Sequence, residues 1–213
     1  MEAIIFDFGG VLCFHPSDQQ IGELAELCGV TREAFLDAYW GLRVDYDRGD
    51  YTPEGYWVRF AEKVGKQYTP HQLNDFRQHD IQFWLSLDQR MMNWIREMRV
   101  VGIKLGLISN LPMDLGEHLR AHTKLFSHFD HVTLSYEQRC VKPDSPIYLE
   151  CCKGLGVEPS EALFLDDKEP NVLGARAVGM QSLVFETPEQ LAKLLAGEAH
   201  ALLPYGAPPI DLG

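Results

Sequence analysis

The stretch Ala3-Ile4-Ile5-Phe6 ends on a single carboxylate, Asp7, and two glycines, Gly9 and Gly10, follow closely. A run of about four to eight apolar residues bounded by turn formers suits a strand buried on both faces, as in a parallel sheet. An acid at the carboxyl end of such a strand lies where open α/β sheets receive ligands. The glycines let backbone come close to whatever Asp7 meets. Two residues beyond Asp7 stands Gly9, which offers only backbone.

The rest of the chain supplies strands for that sheet only after a long detour. Residues 15–88 are helical in pattern and rich in aromatics, with apolar positions such as Ile21, Leu24, Ala25, Leu27 and then Phe35, Leu36, Tyr39, Trp40. Thr31-Arg32-Glu33, Thr52-Pro53-Glu54 and Thr69-Pro70 read as helix starts, a hydroxyl to cap and an acid or proline in the first turn. This block predicts three or four helices and no strand. From residue 89 helices and strands alternate. Strands are expected at 103–109, 132–135, 162–165 and 182–185, and helices near 89–101, 113–122, 145–155, 172–178 and 188–195. Alternation of this kind implies right-handed crossovers and a doubly wound parallel sheet. Residues 1–14 and 89–200 then form the core, 15–88 a helical insertion, and 201–213 a tail containing Pro and Gly.

Composition narrows the partners. With 213 residues, 46% of them hydrophobic, one domain with an insertion is the natural count. The formal net charge of −12, without a cluster of Lys and Arg, argues against nucleic acid as the main partner. A phosphorylated ligand would therefore have to be received locally, by a metal or a few placed cations. The five cysteines (13, 28, 140, 151 and 152) show neither disulfide-framework nor zinc spacing, and the adjacent pair reads as small buried hydrophobes in a helix. The start has no positive segment, and no stretch of about 18 apolar residues occurs. No membrane association and a reduced, cytoplasmic setting are expected.

Three strands end in chemically suggestive residues: Asp7, then Ser109-Asn110, then Asp166-Asp167, with Lys142-Pro143 at the front of a helix between the last two. Strand ends of one parallel sheet open on one edge, so these groups should converge. Carboxylates from separate strands suit a hard cation such as magnesium. A lysine and a hydroxyl beside it could hold a phosphoryl group, and an Asp can act as nucleophile. Each element alone has an ordinary use: a strand-end turn, a solvated loop, or a helix N-cap with favourable dipole placement. Order and position give them weight together.

In these respects the sequence resembles the haloacid dehalogenase superfamily. Phe-Asp-Phe-Gly-Gly-Val-Leu (6–12), Leu-Ile-Ser-Asn (107–110), Val-Lys-Pro-Asp (141–144) and Phe-Leu-Asp-Asp (164–167) are similar to its four motifs, in order. The insertion at 15–88 lies where one branch carries an α-helical cap. The resemblance implies a Rossmann-like α/β core with that cap, and a Mg2+-dependent phosphatase acting on a small-molecule phosphate ester, a sugar phosphate among the options, as monomer or homodimer. It implies Asp7 as nucleophile and metal ligand, with the Gly9 carbonyl and Asp167 as further ligands and Asp166 beside them or acting through water. Ser109 and Lys142 would bind the phosphoryl group and Asn110 would assist.

Gly9 departs from the pattern, because most phosphatases of the superfamily carry there an Asp that protonates the leaving group and activates water. A positioned acid or base contributes about 10²–10⁴-fold. The departure leaves open a good leaving group, a substitute acid from the cap, or a catalytically silent binding protein. His15 is the nearest titratable candidate, apart from Cys13, that follows Gly9, although His15-Pro16 also reads as a hinge. Tyr46-Asp47-Arg48-Gly49-Asp50-Tyr51 is either a solvated loop with packed tyrosines or a specificity loop, while Tyr56, Trp57 and Phe60 read as core. An L-2-haloacid dehalogenase, whose Asp attacks carbon without a metal, is the main alternative. Asp166 and Asp167 count against it, since two acids make a poor pocket for a haloacid carboxylate. The triplet Asp7-Phe8-Gly9 also imitates a kinase motif, but no glycine-rich loop or His-Arg-Asp accompanies it.

Overall fold

The structure, a computed structural model, describes all 213 residues. Five strands form one parallel sheet: β1 (Ala3–Phe6), β2 (Lys104–Ser109), β3 (His131–Leu134), β4 (Ala162–Asp166) and β5 (Gln181–Val184), in the order β3-β2-β1-β4-β5. β1 is central and fully buried, as its uninterrupted apolar sequence requires. Its neighbours are β2 on one side and β4 on the other, so the direction of winding reverses beside β1. Doubly wound sheets bind ligands at that switch point, beyond the carboxyl ends of the strands.

Alternation along the strands separates two cores. Ile4, Phe6, Leu105, Leu107, Leu163 and Leu165 join one cluster, whereas Ala3, Ile5, Ile108, Ala162 and Phe164 join the other. The helices follow the predicted order, with bounds shifted by a few residues. Between β1 and β2 run α1 (Asp18–Leu27), α2 (Arg32–Gly41), α3 (Arg43–Asp47), α4 (Pro53–Lys63), α5 (Pro70–Phe83) and α6 (Gln89–Val100). α7 (Met113–His122), the single turn α8 (Ser135–Gln138), α9 (Ser145–Leu155), α10 (Glu169–Ala177) and α11 (Pro188–Ala196) complete the chain. Thr31, Thr52 and Thr69 each cap their helix through the side chain, and Gly156 closes α9 in the left-handed conformation at φ 64°.

The block 15–88 differs from expectation in one respect: it holds five helices. Leu42, at φ −110°, interrupts what would otherwise be one helix and sets α3 off from α2. The block packs through Phe35, Tyr39, Tyr56, Trp57, Phe60 and Phe76, all buried. It leaves and re-enters the core side by side, since Phe14 N–H donates to Ser86 O and Asp88 N–H to Leu12 O, each at 2.9 Å. The tail folds back onto α6, where Trp94 Nε1 donates to Pro208 O at 2.9 Å and Ile210 is buried. No helix is long and apolar enough to cross a membrane, and all five cysteines are free thiols.

Candidate active site

Residue pairing sets the floor of the site. Phe6 lies level with Leu107 on one side and Leu165 on the other, so Asp7 emerges beside Ile108 and Asp166. Lys142, from the loop before α9, enters between them. Its ammonium donates to Asp7 Oδ1 at 2.7 Å, Asp166 Oδ2 at 2.7 Å and Ile108 O at 3.2 Å. An ammonium has three N–H bonds, so all its donors are in use and the nucleophile candidate is held in one orientation. Asn110 fixes that loop in turn, accepting from Lys142 N–H at 2.8 Å and donating to Lys142 O at 3.0 Å.

The two carboxylates flanking Lys142 are unequal. Asp166, fully buried, accepts from Lys142, from Lys168 N–H (2.8 Å) and, at both oxygens, from Asn171 Nδ2 (2.9 and 3.1 Å). Burial alone would raise its pKa, but Lys142 and these donors hold it below the ordinary carboxylate value. Asp7 accepts only from Lys142 and from Phe8 N–H (2.6 Å), both at Oδ1. Burial therefore prevails over Lys142 and pushes Asp7 up to about 7, helped by the charges of Asp166 and Asp167. Asp7 Oδ2 faces no protein donor.

Asp167 completes an acidic group. One oxygen each from Asp7, Asp166 and Asp167 lies within 4.8 Å of the others. Asp167 Oδ2 meets His15 Nε2 at 2.9 Å, whereas Asp167 Oδ1 is buried with no partner. An orphaned carboxylate oxygen, an under-bonded Asp7 and a third acid fit a hard divalent cation, which is satisfied by oxygen ligands. Asp166, with both oxygens already engaged, suits the role of a neighbour better than that of a direct ligand. Gly10 permits the arrangement: it sits at φ +82°, and a Cβ there would come within 2.6 Å of the Asp167 carboxyl.

Above this floor is a cavity of about 260 Å³ that Asp7, Phe8, Gly9, Ser109, Asn110 and Lys142 line from the sheet side. Ser109 is buried and its hydroxyl has no protein partner. Trp40, Arg43, Val44 and Asp47 of α2–α3, with Trp84, form the opposite wall. Arg43 is buried there, donating to Asp47 Oδ1 (2.8 Å), Tyr39 Oη (2.6 Å) and Asp80 Oδ2 (3.2 Å), with its guanidinium over the rings of Tyr39, Tyr46 and Trp84.

All seven residues singled out in the sequence (Asp7, Gly9, Ser109, Asn110, Lys142, Asp166 and Asp167) gather at this edge. His15 does more than turn the chain, since it touches Asp167 and packs edge-on against Trp84. The segment 46–51 divides: Asp47 lines the cavity and Tyr46 is buried with its hydroxyl donating to Asp114 Oδ1 at 2.6 Å, whereas Gly49 and Asp50 bind Arg139 near β3. Arg43, Trp84 and Asn171 escaped sequence reasoning. The i, i+4 spacing of Tyr39, Arg43 and Asp47 was a local signal for the first; the other two take their places only through tertiary packing.

A family model for haloacid dehalogenase-like hydrolases matches residues 1–179. The chain is 27% identical over 183 residues to sesquiterpene phosphatase astK of Aspergillus oryzae, covering 85% of this chain and 88% of that one. It is 25% identical over 202 residues to hexitol phosphatase B of Escherichia coli K12, covering 88% and 84%. In fold it is similar to a HAD family enzyme of Bacteroides thetaiotaomicron solved with magnesium and inorganic phosphate, at a TM-score of 0.71 and 22% identity over 86% of this chain and 93% of that one. A match spanning most of the length, on a parallel sheet with acids at its carboxyl edge, shows that the chain belongs to the haloacid dehalogenase-like hydrolase family.

Proposed function

We propose that this protein is a magnesium-dependent phosphatase that hydrolyses a small phosphorylated metabolite, a sugar phosphate being the favoured class. The carrying observation is the juxtaposition of Asp7 with Lys142, Asp166 and an Asp167 whose buried Oδ1 has no partner. Asp7, the Gly9 carbonyl and Asp167 would hold the ion, with Asp166 beside them. When bound, magnesium would offset the charge of the phosphoryl oxygens and hold them in register with Asp7.

Asp7 then bonds to phosphorus as the ester P–O bond breaks, giving an aspartyl-phosphate. Water attacks the same phosphorus, frees the Asp7 carboxylate and releases inorganic phosphate. Lys142 orients Asp7 and keeps a compensating positive charge beside the transferring group, and Ser109 offers its hydroxyl to a phosphoryl oxygen. The cavity of about 260 Å³ is smaller than the roughly 300–1,000 Å³ of pockets for drug-sized ligands, which favours a compact leaving group. Hexitol phosphatase B is a relative whose name points to that class. Asp166 and Asp167 beside Asp7 count against a haloacid, whose own carboxylate they would repel.

The test is a panel of metabolite phosphates and 2-haloacids with and without magnesium. Phosphate release that needs magnesium is expected. Halide release without metal, or no turnover of any ester, would overturn the proposal.

A further inference from the structure

Gly9 carries no acid, and the space its side chain would use is filled: a Cβ at this position would lie 3.1 Å from Trp84 Cζ3. The proton for the leaving oxygen must come from elsewhere on the cavity wall. The ionisable side chains lining the cavity are Asp7, His15, Arg43, Asp47, Lys142 and Lys168. Asp7 is the proposed nucleophile. Lys142 has every donor engaged within the floor. Arg43 does not release a proton in a protein, and Lys168 is an exposed, hydrated ammonium. His15 sits on Asp167, at the metal side of the floor. Asp47 remains.

Building on the phosphatase reading, we propose that Asp47 of α3 is the catalytic acid that protonates the leaving oxygen, and the base that then activates water, in place of the residue missing at Gly9. Attacking and leaving oxygens lie roughly in line in phosphoryl transfer, so a leaving group expelled by Asp7 departs toward the wall facing the sheet edge. That wall is α2–α3, and Asp47 is its carboxylate. Asp47 Oδ1 accepts from Arg43 Nε, while Oδ2 accepts no hydrogen bond and is the oxygen able to meet a ligand. Burial raises its pKa to about 6, with Arg43 opposing, Asp80 adding and Lys168 lowering. A general acid works best with a pKa near the operating pH.

The protons balance. In the first step the Asp47 proton passes to the ester oxygen as its bond to phosphorus breaks and Asp7 takes up the phosphoryl group. In the second, Asp47 takes a proton from water as that water bonds to phosphorus and the bond to Asp7 breaks. Asp47 is protonated again at the end.

The test compares kcat/KM for phenyl phosphate and 4-nitrophenyl phosphate, with magnesium, in the wild type and the variants Asp47→Asn, Asp47→Glu and His15→Gln. Phenolate is a poor leaving group that needs the proton, whereas 4-nitrophenolate leaves unaided. Asp47→Asn is expected to lower the phenyl value by about 10²–10⁴-fold and the nitrophenyl value far less. It should also give a burst of nitrophenol with accumulated phosphoenzyme, because the base for the second step is gone. Asp47→Glu should keep most of the wild-type ratio. Should the Asn variant fail to fold, Asp47→Ser, still an acceptor for Arg43, gives the same comparison. Equal losses on both substrates would reduce Asp47 to a partner of Arg43 and overturn the assignment, as would a selective loss in His15→Gln instead. A wild type inactive on every phosphate ester would reject the phosphatase function itself, an outcome distinct from either.

Discussion

Replacing Gly9 by Asp would restore the residue most phosphatases of this family carry, and the structure argues that the restoration fails. The new Cβ would stand 3.1 Å from Trp84 Cζ3, 3.7 Å from Cε3 and 3.9 Å from Cη2. Carbon pairs are most favourable at about 3.5–4.0 Å, so the first contact is short by at least about 0.4 Å (3.5 − 3.1) before the carboxyl is placed. Trp84 is buried, with its ring against Arg43 and His15, and cannot swing freely. Overpacking of this kind costs about 1–3 kcal/mol. Gly9→Asp should therefore lower the urea unfolding free energy by that amount and leave kcat/KM for phenyl phosphate without a gain. Trp84→Ala alone should cost about 3 kcal/mol, the lower end for a buried Trp, because part of the ring borders the cavity. In the double variant the clash is gone, so its loss should fall short of the sum of the single losses by about 1–3 kcal/mol. A Gly9→Asp protein as stable as wild type and about 10²-fold faster on phenyl phosphate would refute the obstruction by Trp84.

Asp7→Asn should abolish both phosphate release and formation of an acid-precipitable phosphoenzyme from a labelled ester; full activity would remove Asp7 as nucleophile. Asp167→Asn should raise the magnesium concentration needed for half-maximal rate, and an unchanged titration would take Asp167 out of the metal site. Arg43→Met leaves Asp47 and Asp80 buried without their cation, which should cost about 3–5 kcal/mol in urea unfolding at neutral pH. An unaltered midpoint would mean that the acids find another partner.

The core was legible because local and global signals agree there. β1, β2 and β4 are largely apolar runs that end at polar residues, and capping threonines and Gly156 mark helix ends by chemistry that needs no tertiary partner. The gathering of Asp7, Ser109, Asp166 and Asp167 was readable because strand ends of a parallel sheet share one edge whatever the helices do, and Lys142 because it stands at the front of the helix between two of those strands. The insertion was legible only as helical. Nothing near Leu42 except Gly41 marks the break between α2 and α3, and the buried partner of Arg43 there, Asp80, lies 37 residues away. Trp84 has no local signal for its place over Gly9, which comes only from tertiary packing.

Gly9 and Trp84 are best understood together. An acid at position 9 would add another negative charge to a site where those of Asp166 and Asp167 already help push Asp7 up to about 7. Glycine avoids that burden and keeps its backbone carbonyl, the group proposed above as a metal ligand. The volume released is taken by an indole that also packs against the Arg43 guanidinium. Arg43 in turn holds Asp47 at the opposite wall through Nε. Acid–base chemistry placed on α3 would then depend on how the helical block sits over the sheet. A substrate that does not draw that block into place would be hydrolysed slowly even with Asp7, Lys142 and the metal in order. Selectivity and proton transfer would thus reside in the same five-residue helix, and variants of α3 should change leaving-group preference and substrate range together.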